Sequence, residues 1–128
     1  METLKFDTGK ARQRKQYDLE DRTFNFAKDV REFARQIPRT TANIEDTKQL
    51  VRASGSVGAN FIEANESLSK KDFLMRIKIC RKEAKESRYW LRLIDPGHDA
   101  TAQKSQASLI QEATELTSIF RAILRKSE

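Results

Sequence analysis

Apolar residues recur along this chain at helical spacing. Leu19, Phe26, Val30, Phe33 and Ile37 step by 7, 4, 3 and 4, which keeps them on one face of an α-helix. Asp18 is placed to cap that helix and Pro38 to end it. A second helix is predicted from about Ile44 to Glu66, with Asn43 as its cap and Leu50, Val57, Phe61 and Ala64 as its core stripe. Ser69, with Asp72 three residues on, has the form of a capping box and opens a third helix. Phe73, Ile77, Cys80, Ala84, Leu91 and Ile94 form that helix's stripe, until Asp95-Pro96-Gly97 breaks it. The fourth is predicted from about Thr101 to Arg125, where Leu109, Ala113, Leu116, Phe120 and Ile123 are spaced 4-3-4-3. No stretch alternates apolar and polar residues over the length of a strand. Four such helices with short connections bury their stripes best as an all-α, antiparallel up-down-up-down four-helix bundle. Residues 17–128 form that single domain, and residues 1–16, without apolar periodicity, are expected to be a flexible basic arm.

Composition narrows the chemistry. The chain has 128 residues, enough for one domain with a real core, and its 4 Gly and 2 Pro leave few turn signals. Its single cysteine, Cys80, permits no internal disulfide, and Cys80 with the lone His98 cannot build a Cys/His zinc site. The first residues lack the apolar core of a signal peptide, and no run of ~18 apolar residues occurs to span a membrane. The expectation is a cytoplasmic protein with no metal, no cofactor and no membrane partner. A net charge of +6 is modest, but its distribution is uneven. Lys5, Lys10, Arg12, Arg14 and Lys15 concentrate in the arm, and residues 70–95 carry nine positive side chains against four negative.

The third helix has more than one occupied face. At 100° per residue from Lys71, its core stripe clusters near ~200°, while Met75, Ile79, Trp90 and Leu93 fall between roughly 40° and 100°. Lys71, Lys78, Lys82, Lys85, Arg92, Arg81 and Arg88 occupy roughly +20° to −100°. The second apolar face is either a widened core or a subunit interface anchored by Trp90; large apolar patches on soluble proteins favour the interface. The second helix contains Gly55 and Gly58, each costing ~1 kcal/mol relative to Ala. They share a ridge with Val51 and Ile62, where missing side chains let another helix approach. Its opposite stripe, Gln49, Arg52, Ser56, Asn60 and Glu63, is polar, and suits a solvated face or hydrogen bonds between helices better than a ligand site.

At these residues a family resemblance emerges. Tyr17 to Asp95 resembles the four-helix-bundle proteins encoded within intervening sequences of bacterial 23S ribosomal RNA genes. The matching pieces are Asp18-Leu19, Arg22-Thr23-Phe24, Phe26-Ala27, Ile37-Pro38 and Gln49-Leu50-Val51-Arg52. They continue through Ser56-Val57-Gly58-Ala59-Asn60, Glu63-Ala64, Ser69-Lys70-Lys71-Asp72-Phe73 and Lys82-Glu83-Ala84-Lys85-Glu86-Ser87-Arg88-Tyr89-Trp90-Leu91. The resemblance implies a subunit that assembles into a ring, typically a homopentamer. It also implies kinship with the accessory protein of diversity-generating retroelements, a ring that binds nucleic acid and partners a reverse transcriptase. It brings no catalytic residues.

Enzyme readings find little support. Gly55 and Gly58 lie inside a helix without a phosphate-loop pattern, and one histidine cannot supply the two Glu-x-x-His pairs of a di-iron bundle. Glu63/Glu66 and Glu83/Glu86 read as surface ion pairs among abundant Lys and Arg. A helical-bundle ribonuclease using Arg92 and His98 is the surviving alternative, opposed by the loop position that Pro96-Gly97 gives His98. A scaffold whose basic face only confers solubility is the other. The reading best supported is a non-catalytic, oligomeric nucleic-acid-binding protein. Lys71, Lys78, Arg81, Lys82, Lys85, Arg88 and Arg92 carry the contacts, assisted by Arg12, Arg14 and Lys15; Met75, Ile79, Trp90 and Leu93 form the subunit interface. Its partners are other copies of itself, RNA or DNA, and a reverse transcriptase if it follows the retroelement branch.

Overall fold

The computed structural model describes residues 18–127, so Arg12, Arg14 and Lys15 lie outside the described residues. Four helices follow one another: α1 (Leu19–Ala34), α2 (Thr41–Asn65), α3 (Lys70–Leu93) and α4 (Ala100–Ser127), with no strand among the described residues. Local cap chemistry sets three of the starts. The Asp18 carboxylate accepts from the Asp21 N–H at 3.2 Å, and the Ser69 hydroxyl accepts from the Asp72 N–H at 3.1 Å. Asp99 accepts from the Thr101 N–H at 2.9 Å at the head of α4.

The start of α2 departs from expectation. Thr40, not Asn43, is the cap, its hydroxyl accepting from the Asn43 N–H at 3.1 Å. Asn43 is instead buried within the first turn, where its amide nitrogen donates to the carbonyls of Pro38 (2.9 Å) and Asp95 (2.8 Å). Its amide oxygen accepts from the Asp95 N–H at 3.0 Å. One side chain thereby ties the α1–α2 connection to the end of α3. Gly97 lies beside this knot with φ +73°, and a Cβ there would sit 2.8 Å from Pro38 Cγ. Both the backbone conformation and the close approach require glycine.

Each helix packs on its neighbours in the cycle α1–α2–α3–α4–α1, and the α1–α4 contact is the thinnest. Between α2 and α3 the paired numbers run oppositely: Asn43 with Asp95, Arg52 with Glu86, Val57 with Cys80, Asn60 with Arg76. Phe26, Val30, Phe33, Leu50, Val57, Ile77, Leu91, Leu116 and Phe120 are fully buried at the centre. Phe61 and Phe73, expected in the core, are only half-buried at its edge, with Phe61 tilted against Phe120 at 6.0 Å between ring centres. The glycine ridge of α2 faces α1, but its two glycines differ. A Cβ on Gly58 would lie 2.8 Å from Thr23 Oγ1 and 3.2 Å from Thr23 Cβ, whereas one on Gly55 meets only the tip of Arg31 at 3.6 Å. Close packing accounts for Gly58 alone.

Candidate nucleic-acid interface

The basic residues of α3 lie along the outer surface of the bundle. Lys71, Lys78, Lys82, Lys85 and Arg92 are exposed, and Arg81 and Arg88 are half-buried nearer α4. The hydrogen bond from Arg88 Nε to Thr114 Oγ1, 2.9 Å, fixes the side of α4 that adjoins this row. One heptad further along α4 on that side stands Arg121, and Arg125 follows one turn later; both are exposed. One heptad back along α3 from Arg88 is Arg81. The row is therefore wider than α3 alone, an extension that sequence reasoning misses because the register between helices is not written in either one.

The acidic residues of α3 are drawn to its other side. Arg52, on α2, reaches Glu86 Oε1 at 3.3 Å and Glu83 Oε1 at 3.5 Å. No carboxylate of the described residues lies within 4 Å of the side-chain nitrogens of Lys71, Lys78, Arg81, Lys85, Arg88 or Arg92; Lys82 alone has one, Glu83 Oε2, at 3.9 Å. Glu83 is buried rather than a surface ion-pair residue, because it sits where α2 and α3 meet. Asn60 of the polar stripe on α2 joins the same seam. Arg76 donates to Asn60 Oδ1 at 2.9 Å, and Asn60 donates to the Ser56 carbonyl at 2.9 Å. Two of the stripe's residues, Arg52 and Asn60, thus make contacts between helices, while Gln49 and Glu63 are exposed.

The second apolar face of α3 divides. Met75 and Leu93 are 54% and 51% exposed, while Ile79 and Trp90 are half-buried and Trp90 packs against the core. Met75 and Ile79 also line a shallow groove with Glu63, Glu66, Leu68, Asp72 and Arg76 at the α2–α3 turn. His98 is exposed on the α3–α4 connection, directly after Gly97, and no hydrogen bond of its side chain occurs among the described residues. Among the described residues no cluster of His, Cys, Asp and Glu could hold a metal ion, and no helix is long and apolar enough to cross a membrane.

The family model of the 23S rRNA-intervening sequence protein matches residues 15–122. The chain belongs to this family. The match spans α1 to α3 and most of α4, so every α3 residue of the basic row lies within it, as does Arg121; Arg12, Arg14 and Arg125 lie outside. A solved member of the S23 ribosomal protein family from Bacteroides thetaiotaomicron VPI-5482 is similar in structure, with a TM-score of 0.71 and 27% identity. The similarity covers 83% of this chain and 97% of that one, so the intervening-sequence fold is shared nearly end to end. A shorter similarity, 39% identity over 64 residues, links the chain to centromere protein S of Mus musculus and Bos taurus. It covers 50% of this chain and 45% and 46% of theirs, so the chain spans under half the length of those curated relatives.

Proposed function

We propose that this protein is a non-catalytic nucleic-acid-binding subunit whose antiparallel up-down-up-down bundle assembles into a ring, most simply a homopentamer. It acts in the cytoplasm, as an rRNA intervening-sequence protein or as the accessory factor of a reverse transcriptase in a diversity-generating retroelement. The observation that carries the binding reading is the segregation of charge on α3. Arg52 lies within ion-pair distance of Glu83 and Glu86 on the α2 side, and among the described residues only Lys82 of the row from Lys71 to Arg92 has a carboxylate within 4 Å, Glu83 at 3.9 Å. Lys71, Lys78, Lys85 and Arg92 recur every seven residues, a row about 30 Å long at 1.5 Å rise per residue. That length matches several phosphates along a strand, and a ring would repeat it by symmetry, adding weak contacts through multivalency.

Phosphate recognition carries a definite salt signature. Affinity for RNA or DNA should fall with a log–log slope of about −0.7 to −0.9 per phosphate neutralised. Sequence preference should be weak, because phosphate contacts position a strand without reading its bases. Reversing Lys78, Arg81 and Lys85 to Glu together should lower affinity and flatten that slope while leaving helical circular dichroism intact. No shift of either nucleic acid by the wild-type protein at ~100 mM salt, or an unchanged affinity in the triple reversal, ends this reading.

A further inference from the structure

Tyr89 stands inside the basic row and takes no part in the core. It is 56% exposed, and at 100° per residue it shares the angular position of Lys71, within roughly 20° of Lys78 and Lys82. Lys85 precedes it by about 6 Å along the helix axis and Arg92 follows by about 4.5 Å, at 1.5 Å per residue. Its ring is held by Trp90 in an edge-to-face contact, 5.0 Å between ring centres at 81°. In that geometry Trp90 can cover at most one face of the phenol ring, and the side chain as a whole remains 56% exposed. An exposed aromatic ring normally costs solubility, and this one is oriented by a neighbour and flanked by cations.

We propose that Tyr89 is a stacking platform for an unpaired base, and that the α3 row therefore takes single-stranded nucleic acid in preference to duplex. The inference rests on the nucleic-acid-binding reading and adds the form of the ligand. Cations on either side of Tyr89 hold the phosphates that flank one nucleotide, and the base of that nucleotide lies on the ring. In a duplex the bases are stacked on one another and no face is offered, so only the phosphate contacts remain. Stacking accepts any base, which fits a surface with no built pattern of hydrogen-bond donors and acceptors. RNA and DNA single strands share this chemistry.

The test uses fluorescence anisotropy of the full-length protein with labelled oligonucleotides on the order of 20 nucleotides, longer than the site one small domain occupies. The probes are oligo-U, oligo-dT, an abasic strand of the same length, and a duplex. Wild-type protein should bind both intact single strands more tightly than the abasic strand or the duplex. Tyr89→Ala should weaken binding of the intact strands roughly 5- to 100-fold, the loss of one stacked base, with the salt slope unchanged. Tyr89→Phe, which keeps the ring, should retain the affinity, and abasic binding should be indifferent to both substitutions. If the wild type binds but Tyr89→Ala weakens intact and abasic strands alike, or neither, stacking is wrong while phosphate binding stands. If the wild type binds none of the probes at ~100 mM salt, the binding reading falls and this one with it. A change in assembly mass on Tyr89→Ala, read by light scattering, would instead assign the ring to contacts between copies.

Discussion

Gly55 and Gly58 are three residues apart on the same helix, yet the same substitution should move stability in opposite directions. Alanine at 58 drives a methyl into Thr23, whose hydroxyl is itself fixed by a 2.6 Å bond to the Leu19 carbonyl and cannot swing away freely. Separating α1 from α2 there should cost about 1–3 kcal/mol, the usual range for overpacking. Alanine at 55 meets only a flexible arginine tip and should gain ~0.5–1 kcal/mol of helix propensity. Urea denaturation of the two variants, with equal slopes, checks both signs at once. Cys80 offers a second measurement at this scale. Its thiol is buried, donates to the Val57 carbonyl at 3.4 Å, and is pushed up to about 12 by that burial. Burial leaves little thiolate and no access, so at pH 8 a disulfide reagent should modify the folded protein very slowly and the urea-unfolded protein at the rate of a free cysteine. Rapid modification of the native chain would mean that the α2–α3 seam opens far more often than its packing implies.

Between elements, α1 is held to α4 by little surface and one concentrated polar contact. Arg22 grips Glu112 with two hydrogen bonds, 2.7 and 2.9 Å, and reaches Glu115 at 2.7 Å. The Glu115 carboxyl is kept below the usual carboxylate range first by the Gln111 amide and then by Arg22. Arg22→Ala should cost about 1–2 kcal/mol at pH 7, between the worth of an exposed pair and a buried one. A lowered folded-state pKa gives stability that is present above the unfolded value, 4.5, and is lost as pH falls through the folded value. The gap between wild type and Arg22→Ala should therefore narrow as pH falls below 4.5 and through the folded value. Asp21 carries the opposite sign: the hydrogen bond and charge of Asp18 raise its pKa, so acid relieves a repulsion at the head of α1. Comparing the two proteins with each other, rather than following wild type alone, cancels that term. The legibility of the elements divides along the same line. Asp18 and Ser69 announce the starts of α1 and α3 because a cap is a contact three residues long. Asn43 misleads because its side chain serves a partner fifty-two residues away, Asp95, and Thr40 does the capping. The row on α3 can be read from helical phase alone. The drawing of Glu83 and Glu86 toward Arg52, and the row's extension by Arg121, depend on how α2 and α4 lie against it.

At the scale of the whole molecule, a ring makes a demand that a twofold dimer does not. Each subunit must present two different surfaces that fit each other, because a cyclic contact is heterologous. Met75 and Leu93, near the two ends of α3, are exposed apolar candidates for one of them. Phe24 on α1 and Ile62 on α2, 63% and 49% exposed, are candidates for the other. Trp90 is less suited to probing the contact than its position on α3 suggests, since it packs against the core and its loss would disturb the fold. Leu93→Asp and Phe24→Asp are the cleaner variants. Light scattering of the wild type at micromolar concentration should give a multiple of 14.8 kDa, and each variant alone should fall toward the monomer with its helical circular dichroism intact. Mixing the two variants decides the symmetry. One retains the first surface and the other the second, so a heterologous interface predicts one-to-one dimers that grow no further. An interface pairing each edge with itself predicts homodimers of whichever variant keeps the working edge, and no new species on mixing. A wild-type mass equal to the monomer would remove the ring altogether, and with it the repetition of the basic row on which multivalent binding depends.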